Sequence, residues 1–191
     1  MKSEILHLLR HADGYVSGQQ LCETFGVSRT AVWKVINQLK EEGYVIDSVQ
    51  NKGYRITEYP DIITASEIES LLLDDSGNMQ GICRHIQYFD KTDSTNNQAK
   101  LAAEKNAPEG TLFVAECQTG GRGRRGKTWE SPAGSGIWMS LLLRPDISPE
   151  SASMLTLVLA VAMVDAINEE VQDAKCYVKW PNDIVLNNRK I

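Results

Sequence analysis

The sequence contains no C-x-x-C pair: its four cysteines, Cys22, Cys83, Cys117 and Cys176, lie far apart. That spacing argues against the usual zinc and disulfide frameworks and favours buried, reduced thiols. No apolar run approaches the ~20 residues needed to span a bilayer. The opening residues, Met1-Lys2-Ser3-Glu4, lack the apolar stretch and small-residue cleavage site of a signal peptide. The cytoplasm is therefore the expected compartment, and no membrane partner is expected. Internal repeats and low-complexity segments are absent as well. So is any excess of positive charge: the formal net charge is −5, which argues against a general nucleic-acid coat protein. What is present, 42% hydrophobic and 24% charged residues over a length of 191, suits a soluble chain of one large or two small domains.

The charge is unevenly spread. Residues 1–60 balance seven Lys/Arg against seven Asp/Glu, and residues 61–115 carry four against nine. Residues 116–130 reverse the sign, with four basic and two acidic side chains. A short positive loop in an acidic chain suits a small anionic ligand, since nucleic-acid binding usually leaves a broader footprint.

In the first sixty residues, Ile5, Leu6, Leu8 and Leu9 form the apolar stripe of a helix over residues 3–11, ended by Gly14. Ser17-Gly18-Gln19-Gln20 has the form of a capping box and opens a second helix. Gly26 sits in a turn, and Ser28 caps a third helix running to about residue 42, closed by Gly43. Val32, Val35, Ile36 and Leu39 face its core side, while Arg29, Thr30, Trp33, Lys34, Asn37 and Lys40 face away. Residues 44–49 and 54–57 then read as a hairpin. Together these elements predict a winged helix-turn-helix, whose second motif helix reads base edges in the major groove. Ser28, Arg29, Thr30, Trp33 and Lys34 are the candidate DNA-binding residues, and Lys52 at the wing tip meets phosphate. A module used for protein contacts is the alternative. Glu58-Tyr59-Pro60-Asp61 marks the expected boundary between a domain of residues 1–60 and one of residues 61–191, and Thr64-Ala65-Ser66-Glu67 opens a new helix.

Beyond residue 80, strand-like runs (84–89, 111–117, 136–143, 176–180, 183–186) alternate with helix-like ones (97–105, 148–171). The expected class is α+β, with a mixed α/β second domain. Its chemistry is concentrated in Gln118 through Trp129. Gly121 to Thr128 matches the P-loop pattern, and Gly121, Gly123 and Gly126 match the dinucleotide fingerprint. Both patterns require a helix immediately after the loop. Here Glu130-Ser131-Pro132-Ala133-Gly134-Ser135-Gly136 follows instead, so both matches are coincidental. Arg122, Arg124 and Arg125 must then bind anions through their own forked side chains, with Gly121 and Gly123 allowing close approach. Three adjacent cations repel one another, so the loop is expected to order around an anion. A solvated basic loop is the bland alternative, and Trp129 reads as core.

Three separated motifs, Asp93-Ser94-Thr95-Asn96, Gln118 through Gly126, and Lys179-Trp180-Pro181-Asn182-Asp183, resemble in order and spacing those of bifunctional biotin protein ligases that repress biotin-synthesis operons. The resemblance covers nearly the whole chain. It implies a catalytic domain of the biotin/lipoate ligase type. This activates biotin with ATP and Mg2+ to biotinyl-5′-AMP and transfers it to a lysine of a biotin carboxyl carrier protein. It also implies operator DNA as a second partner and a ligand-promoted homodimer. By motif match, Ser94, Thr95, Asn96 and Gln118 lie at the biotin head group. Gly121, Arg122, Gly123, Arg124 and Arg125 close over biotin and the adenylate, and Lys179 lies at the carboxylate–phosphate junction. Lys179, Arg122 and Arg124 are the implied catalytic residues, with no resident metal site. Short neutral side chains suit a ureido ring, and fixed cations offset the repulsion when a carboxylate attacks a phosphate. A lysine in an apolar strand is costly to bury without such an anion. Gly120 stands where the family often has alanine. Residues 183–191 read as a hairpin ending just past its turn, where the family continues with further sheet and a small barrel. A non-catalytic biotin-sensing repressor, a lipoate-type ligase and a P-loop protein are the rival readings.

Overall fold

The computed structural model describes residues 1–123, 126–171 and 175–191. Arg124 and Arg125, both named above, lie outside the described residues. The chain divides into two compact units, Met1–Leu143 and Arg144–Ile191.

The first unit begins with the expected winged helix: α1 (Lys2–His11), α2 (Gly18–Phe25), α3 (Arg29–Glu41), β1 (Val45–Val49) and β2 (Gly53–Glu58). The serine caps behave as the sequence predicts, since Ser17 accepts from the Gln20 N–H at 3.0 Å and Ser28 from the Ala31 N–H at 3.2 Å. α1 ends at His11, as expected, with extended Ala12 as its C-cap ahead of Gly14. Ile5, Leu6, Leu21, Val32, Ile36 and Leu39 are almost wholly buried in one core. Burial on this scale stabilises by roughly 1.5–3 kcal/mol per large aliphatic side chain. The hairpin is tied to the α1–α2 loop, because Val16 and Tyr54 exchange two backbone hydrogen bonds of 2.9 Å. Gly53 makes that approach possible: its φ is +116°, and a Cβ there would lie 2.0 Å from the Val16 carbonyl oxygen.

Helix α4 (Ala65–Leu72) starts at Thr64, whose hydroxyl accepts from the Glu67 N–H at 3.1 Å. The predicted capping box is only half formed, because the Glu67 carboxylate is engaged elsewhere. One of its oxygens pairs with Arg10 Nη2 at 2.5 Å, and the other accepts from the Tyr44 hydroxyl. His7 Nδ1 donates to the Ser70 carbonyl at 2.9 Å, and the Arg10 guanidinium lies 4.5 Å from the Tyr59 ring centre. Burial and the Glu67 carboxylate push the Tyr44 phenol well above its ordinary pKa. α4, assigned from sequence to the second domain, is thus fastened to the winged helix.

The rest of the first unit is a three-stranded sheet in the order β3-β4-β5: β3 (His85–Phe89), β4 (Thr111–Ala115) and β5 (Trp138–Leu142). β3 runs parallel to β4, with α5 (Thr95–Glu104) between them in sequence, and β4 runs antiparallel to β5. All five residues of β4 are buried. α5 starts two residues earlier than its apolar pattern suggests, because extended Ser94 serves as its N-cap residue. The two motif segments therefore leave the C-terminal ends of neighbouring parallel strands, where open α/β sheets place their ligands.

In the second unit a 3-10 turn (Pro149–Ser153) leads into α6 (Met154–Glu170), followed by an antiparallel sheet of β6 (Cys176–Lys179), β7 (Asp183–Leu186) and β8 (Arg189–Lys190). The Asn168 side chain brackets Cys176, accepting from its N–H at 2.8 Å and donating to its carbonyl at 3.1 Å. Asn187 and Asn188 have φ of 51° and 60°, the left-handed pair that a tight two-residue hairpin turn requires. One expectation is corrected. Pro149–Glu170, at 22 residues, is long and apolar enough to cross a membrane by length and composition. Isolated polar residues such as Thr156 do not offset its many large aliphatic side chains. It is apolar on all sides, and Met154, Val158, Leu159 and Val161 are each more than half exposed.

Candidate ligand-binding and active site

The first two motifs meet in the first unit. Thr92 and Gln118 form a parallel bridge, the Thr92 N–H donates to the Cys117 carbonyl at 3.1 Å, and the Thr119 N–H donates to the Thr92 carbonyl at 2.9 Å. Gly120 N–H donates to the Asp93 carbonyl at 2.7 Å. The side chains then interlock across this backbone seam. Gln118 Oε1 accepts from the Thr95 N–H at 2.8 Å and from Thr95 Oγ1 at 3.2 Å. A backbone N–H can only donate, so the Gln118 amide has one allowed orientation, with Nε2 directed to Ser131 Oγ at 3.0 Å. Ser140 on β5 meets Thr95 Oγ1 at 2.9 Å.

Ser94, Thr95, Gln118 and Gly121 are thus brought together, with Ser94 and Thr95 buried and Asn96 exposed. Gly121 is buried so closely that a Cβ would lie 2.4 Å from the Trp129 carbonyl and 2.8 Å from Ser131 Oγ. At Gly120 the nearest atom to an added Cβ, the Asp93 carbonyl oxygen, is 3.2 Å away. Gly120→Ala is therefore expected to leave ligand affinity at this seam within about threefold. Gly121→Ala must displace backbone and should weaken it by more than about tenfold, since a misplacement of ~1 Å is that costly. Titration calorimetry of both variants checks the contrast, and equal affinities would remove the steric argument.

The loop beyond Gly121 turns back on itself. Arg122 bridges to Thr128 and the Gly123 N–H donates to the Lys127 carbonyl at 2.7 Å. No α-helix follows before β5 among the described residues, as the rejection of the P-loop reading requires. Arg122 is exposed, and Trp129, expected in the core, is 40% exposed over a cleft of about 370 Å3 lined by residues 117–121 and 128–132. Clefts of about 520 and 700 Å3 exist elsewhere in this unit, but neither holds these motifs.

Lys179 lies in the second unit at the end of β6, opposite Asp183 in the register, and the Trp180–Pro181 bond beside it is cis. It is exposed. The cost of burying a strand lysine therefore does not apply, because the apolar neighbours that suggested burial include exposed Trp180. Any role for Lys179 rests on its charge and its motif.

In the winged helix, Arg29, Thr30, Trp33 and Lys34 share the exposed face of α3, and Lys52 is exposed on the wing. The cleft of about 520 Å3 lies between α3 and the wing, lined in part by Gly18, Arg29, Asn51 and Lys52. Lys52 and Arg55 both lie over the Tyr15 ring, 5.8 and 5.1 Å from its centre. Sequence reasoning missed Tyr15 and Arg55, as it missed Ser131 and Ser140. None of the four stands in a local motif; only the tertiary fold brings them to these sites.

Comparison with known proteins gives the family. A family model described as the biotin/lipoate A/B protein ligase family matches residues 88–191, and an HTH domain model matches residues 2–55. The bifunctional ligase/repressor BirA of Bacillus subtilis is 42% identical over 191 residues, 100% of this chain and 57% of that protein. The Escherichia coli protein of the same name is 35% identical over 188 residues, 98% of this chain and 55% of that one. The structure of biotin protein ligase from Aquifex aeolicus in complex with biotin and ATP superimposes with a TM-score of 0.48 at 36% identity, covering 56% of this chain and 44% of that one. The chain spans little more than half the length of the two BirA proteins. With a ligase match over more than half of its residues and a helix-turn-helix match ahead of it, the chain belongs to the biotin/lipoate A/B protein ligase family.

Proposed function

We propose that the protein is an ATP-dependent biotin–[acetyl-CoA-carboxylase] ligase that also acts as a biotin-responsive repressor. The observation that carries this reading is the seam joining Ser94–Thr95 to Gln118–Gly121, which gathers neutral donors and acceptors around a glycine floor. Ser94, Thr95, Asn96 and Gln118 are assigned to the biotin head group, where a ureido ring needs short, uncharged hydrogen-bonding partners. A carboxylate oxygen of biotin attacks the α-phosphorus of ATP, and pyrophosphate leaves as the P–O bond to it breaks. Arg122, Arg124, Arg125 and Lys179 are assigned to the charge that this step concentrates, with Gly121 and Gly123 letting the loop close on the adenylate. The adenylate then passes biotin to a carrier-protein lysine, releasing AMP. Mg2+ is proposed as the companion of the nucleotide phosphates. Among the described residues no three His, Cys, Asp or Glu gather to hold a metal of their own. The cytoplasm is the proposed compartment, since ATP and the carrier protein would be met there. The B. subtilis and E. coli relatives, named as ligase and repressor both, support the pairing.

Biotin-dependent release of pyrophosphate from ATP by the full reading frame tests the enzymatic half. A non-catalytic sensing repressor would bind biotin and release none.

For the repressor half, residues 1–60 are assigned to DNA and residues 61–191 to the ligase. A lone winged helix makes few contacts, so tight operator binding is expected from a dimer spanning two half-sites. Ligand needs to favour that dimer by only ~1–3 kcal/mol. Arg29→Ala should reduce discrimination between sequences by about 1–3 kcal/mol. Lys52→Ala should weaken binding to all DNA alike and lower the salt dependence by about one phosphate contact. Gel-shift titrations at several salt concentrations, with and without biotin and ATP, read both. A Lys52 variant that altered sequence preference would contradict the assignment.

A further inference from the structure

We propose that Asp93 is a positioning residue that holds Ser94 and the Gly120–Gly121 segment in one frame without itself touching substrate. The inference rests on the ligase reading and deepens it.

Both oxygens of the Asp93 carboxylate are engaged. Oδ1 accepts from the Ser94 N–H at 2.7 Å, from Gln98 Nε2 at 3.0 Å and from Thr92 Oγ1 at 3.2 Å. Oδ2 accepts from Asn97 Nδ2 at 2.6 Å. A carboxylate offers roughly four acceptor sites; here three donors crowd Oδ1 and one holds Oδ2. These bonds, from Asn97 and the Ser94 N–H above all, hold the carboxyl down at a pKa of about 2, so it stays ionised at neutral pH. The carbonyl of the same residue accepts from the Gly120 N–H at 2.7 Å. One residue therefore faces two ways. Its side chain locks the start of α5, from which Ser94 and Thr95 project, and its carbonyl locks the glycine segment that runs on to Arg122. If the Asp93 backbone turns, both halves of the pocket move together. Burial of Ser94 and Thr95 to 2% and 3% exposure leaves little slack to absorb such a shift.

The test uses the protein expressed from its full reading frame, with adenylate formation measured at varied biotin and at varied ATP. Wild-type turnover tests the ligase reading, and the variants test this inference, so the two can fail separately. Asp93→Ala is expected to raise KM for biotin by about tenfold or more, with KM for ATP and kcat changed by less than about threefold. Asp93→Asn should recover most of that loss: the introduced amide oxygen replaces Oδ1, and the Asn97 amide turns over to accept from the new NH2. The double variant Asp93→Asn with Asn97→Leu should lose the recovery, and it keeps the test usable if the alanine variant folds poorly. An unchanged biotin KM in Asp93→Ala would overturn the proposal, as would a uniform fall in kcat. So would an Asp93→Asn enzyme as impaired as the alanine variant, since the charge and not the hydrogen-bond frame would then be what matters.

Discussion

On the proposed ligase reading, replacing Lys179 by alanine in the full-length protein is expected to lower the rate of adenylate formation by ~100-fold or more, while biotin still binds measurably. The expectation follows from charge. An anionic carboxylate must approach an anionic phosphate, and each fixed cation at that junction is worth several kcal/mol in the transition state. Lys179 is exposed in its own unit and is opposed in the register by Asp183, which itself pairs with Lys190 at 2.7 Å. Its ammonium is therefore not needed to keep β6 and β7 together, and the alanine variant should fold normally. Arginine keeps the charge but not the point-like ammonium, and should restore only part of the rate. Single-turnover measurements with saturating biotin and ATP separate the chemical step from binding. A rate unchanged by the alanine substitution would make Lys179 a surface residue.

Replacing Glu67 by alanine should cost about 3–5 kcal/mol of stability, the range for removing one partner of a largely buried ion pair. Arg10 and Glu67 are 18% and 15% exposed at their side chains, so water screens the pair little. The loss would fall on more than one group. Arg10 would keep a buried charge whose Nε already has no hydrogen-bond partner among the described residues, and the Tyr44 hydroxyl would lose its acceptor. Tyr44→Phe removes one donor and leaves the ion pair, and should cost only about 1–2 kcal/mol. Urea denaturation followed by the tyrosine and tryptophan signals reads both. A Glu67→Ala change below about 1 kcal/mol would mean that α4 is held mainly by its apolar contacts.

The winged helix was almost entirely legible in the sequence. Its signals are local: serine caps at 17 and 28, a 3.6-residue apolar stripe, and a hairpin turn with Asn51 in a left-handed conformation. The motifs were legible as strings, and the absence of a helix after Gly126 correctly removed the phosphate-loop reading. What could not be read was what each polar side chain would meet. Glu67 looked like a capping residue because Thr64 stands three positions before it, yet Arg10 and Tyr44, distant in sequence, compete successfully for its carboxylate. Lys179 looked buried because its neighbours are apolar, but in a short strand the period of two exposes alternate side chains, and Tyr177 and Lys179 share the exposed side. Ser131 and Ser140 carry no signal at all until the fold brings them against Gln118 and Thr95.

The measurement that tests the central claim most directly is mass spectrometry of the full-length protein incubated with biotin, ATP and Mg2+, first alone and then with an unmodified biotin carboxyl carrier domain. Biotinyl-5′-AMP is expected in the first mixture, and in the second a carrier heavier by one biotinyl group on a single lysine, with AMP released. Biotin bound without adenylate, or adenylate replaced by a lipoyl product when lipoate is offered alongside, would contradict it.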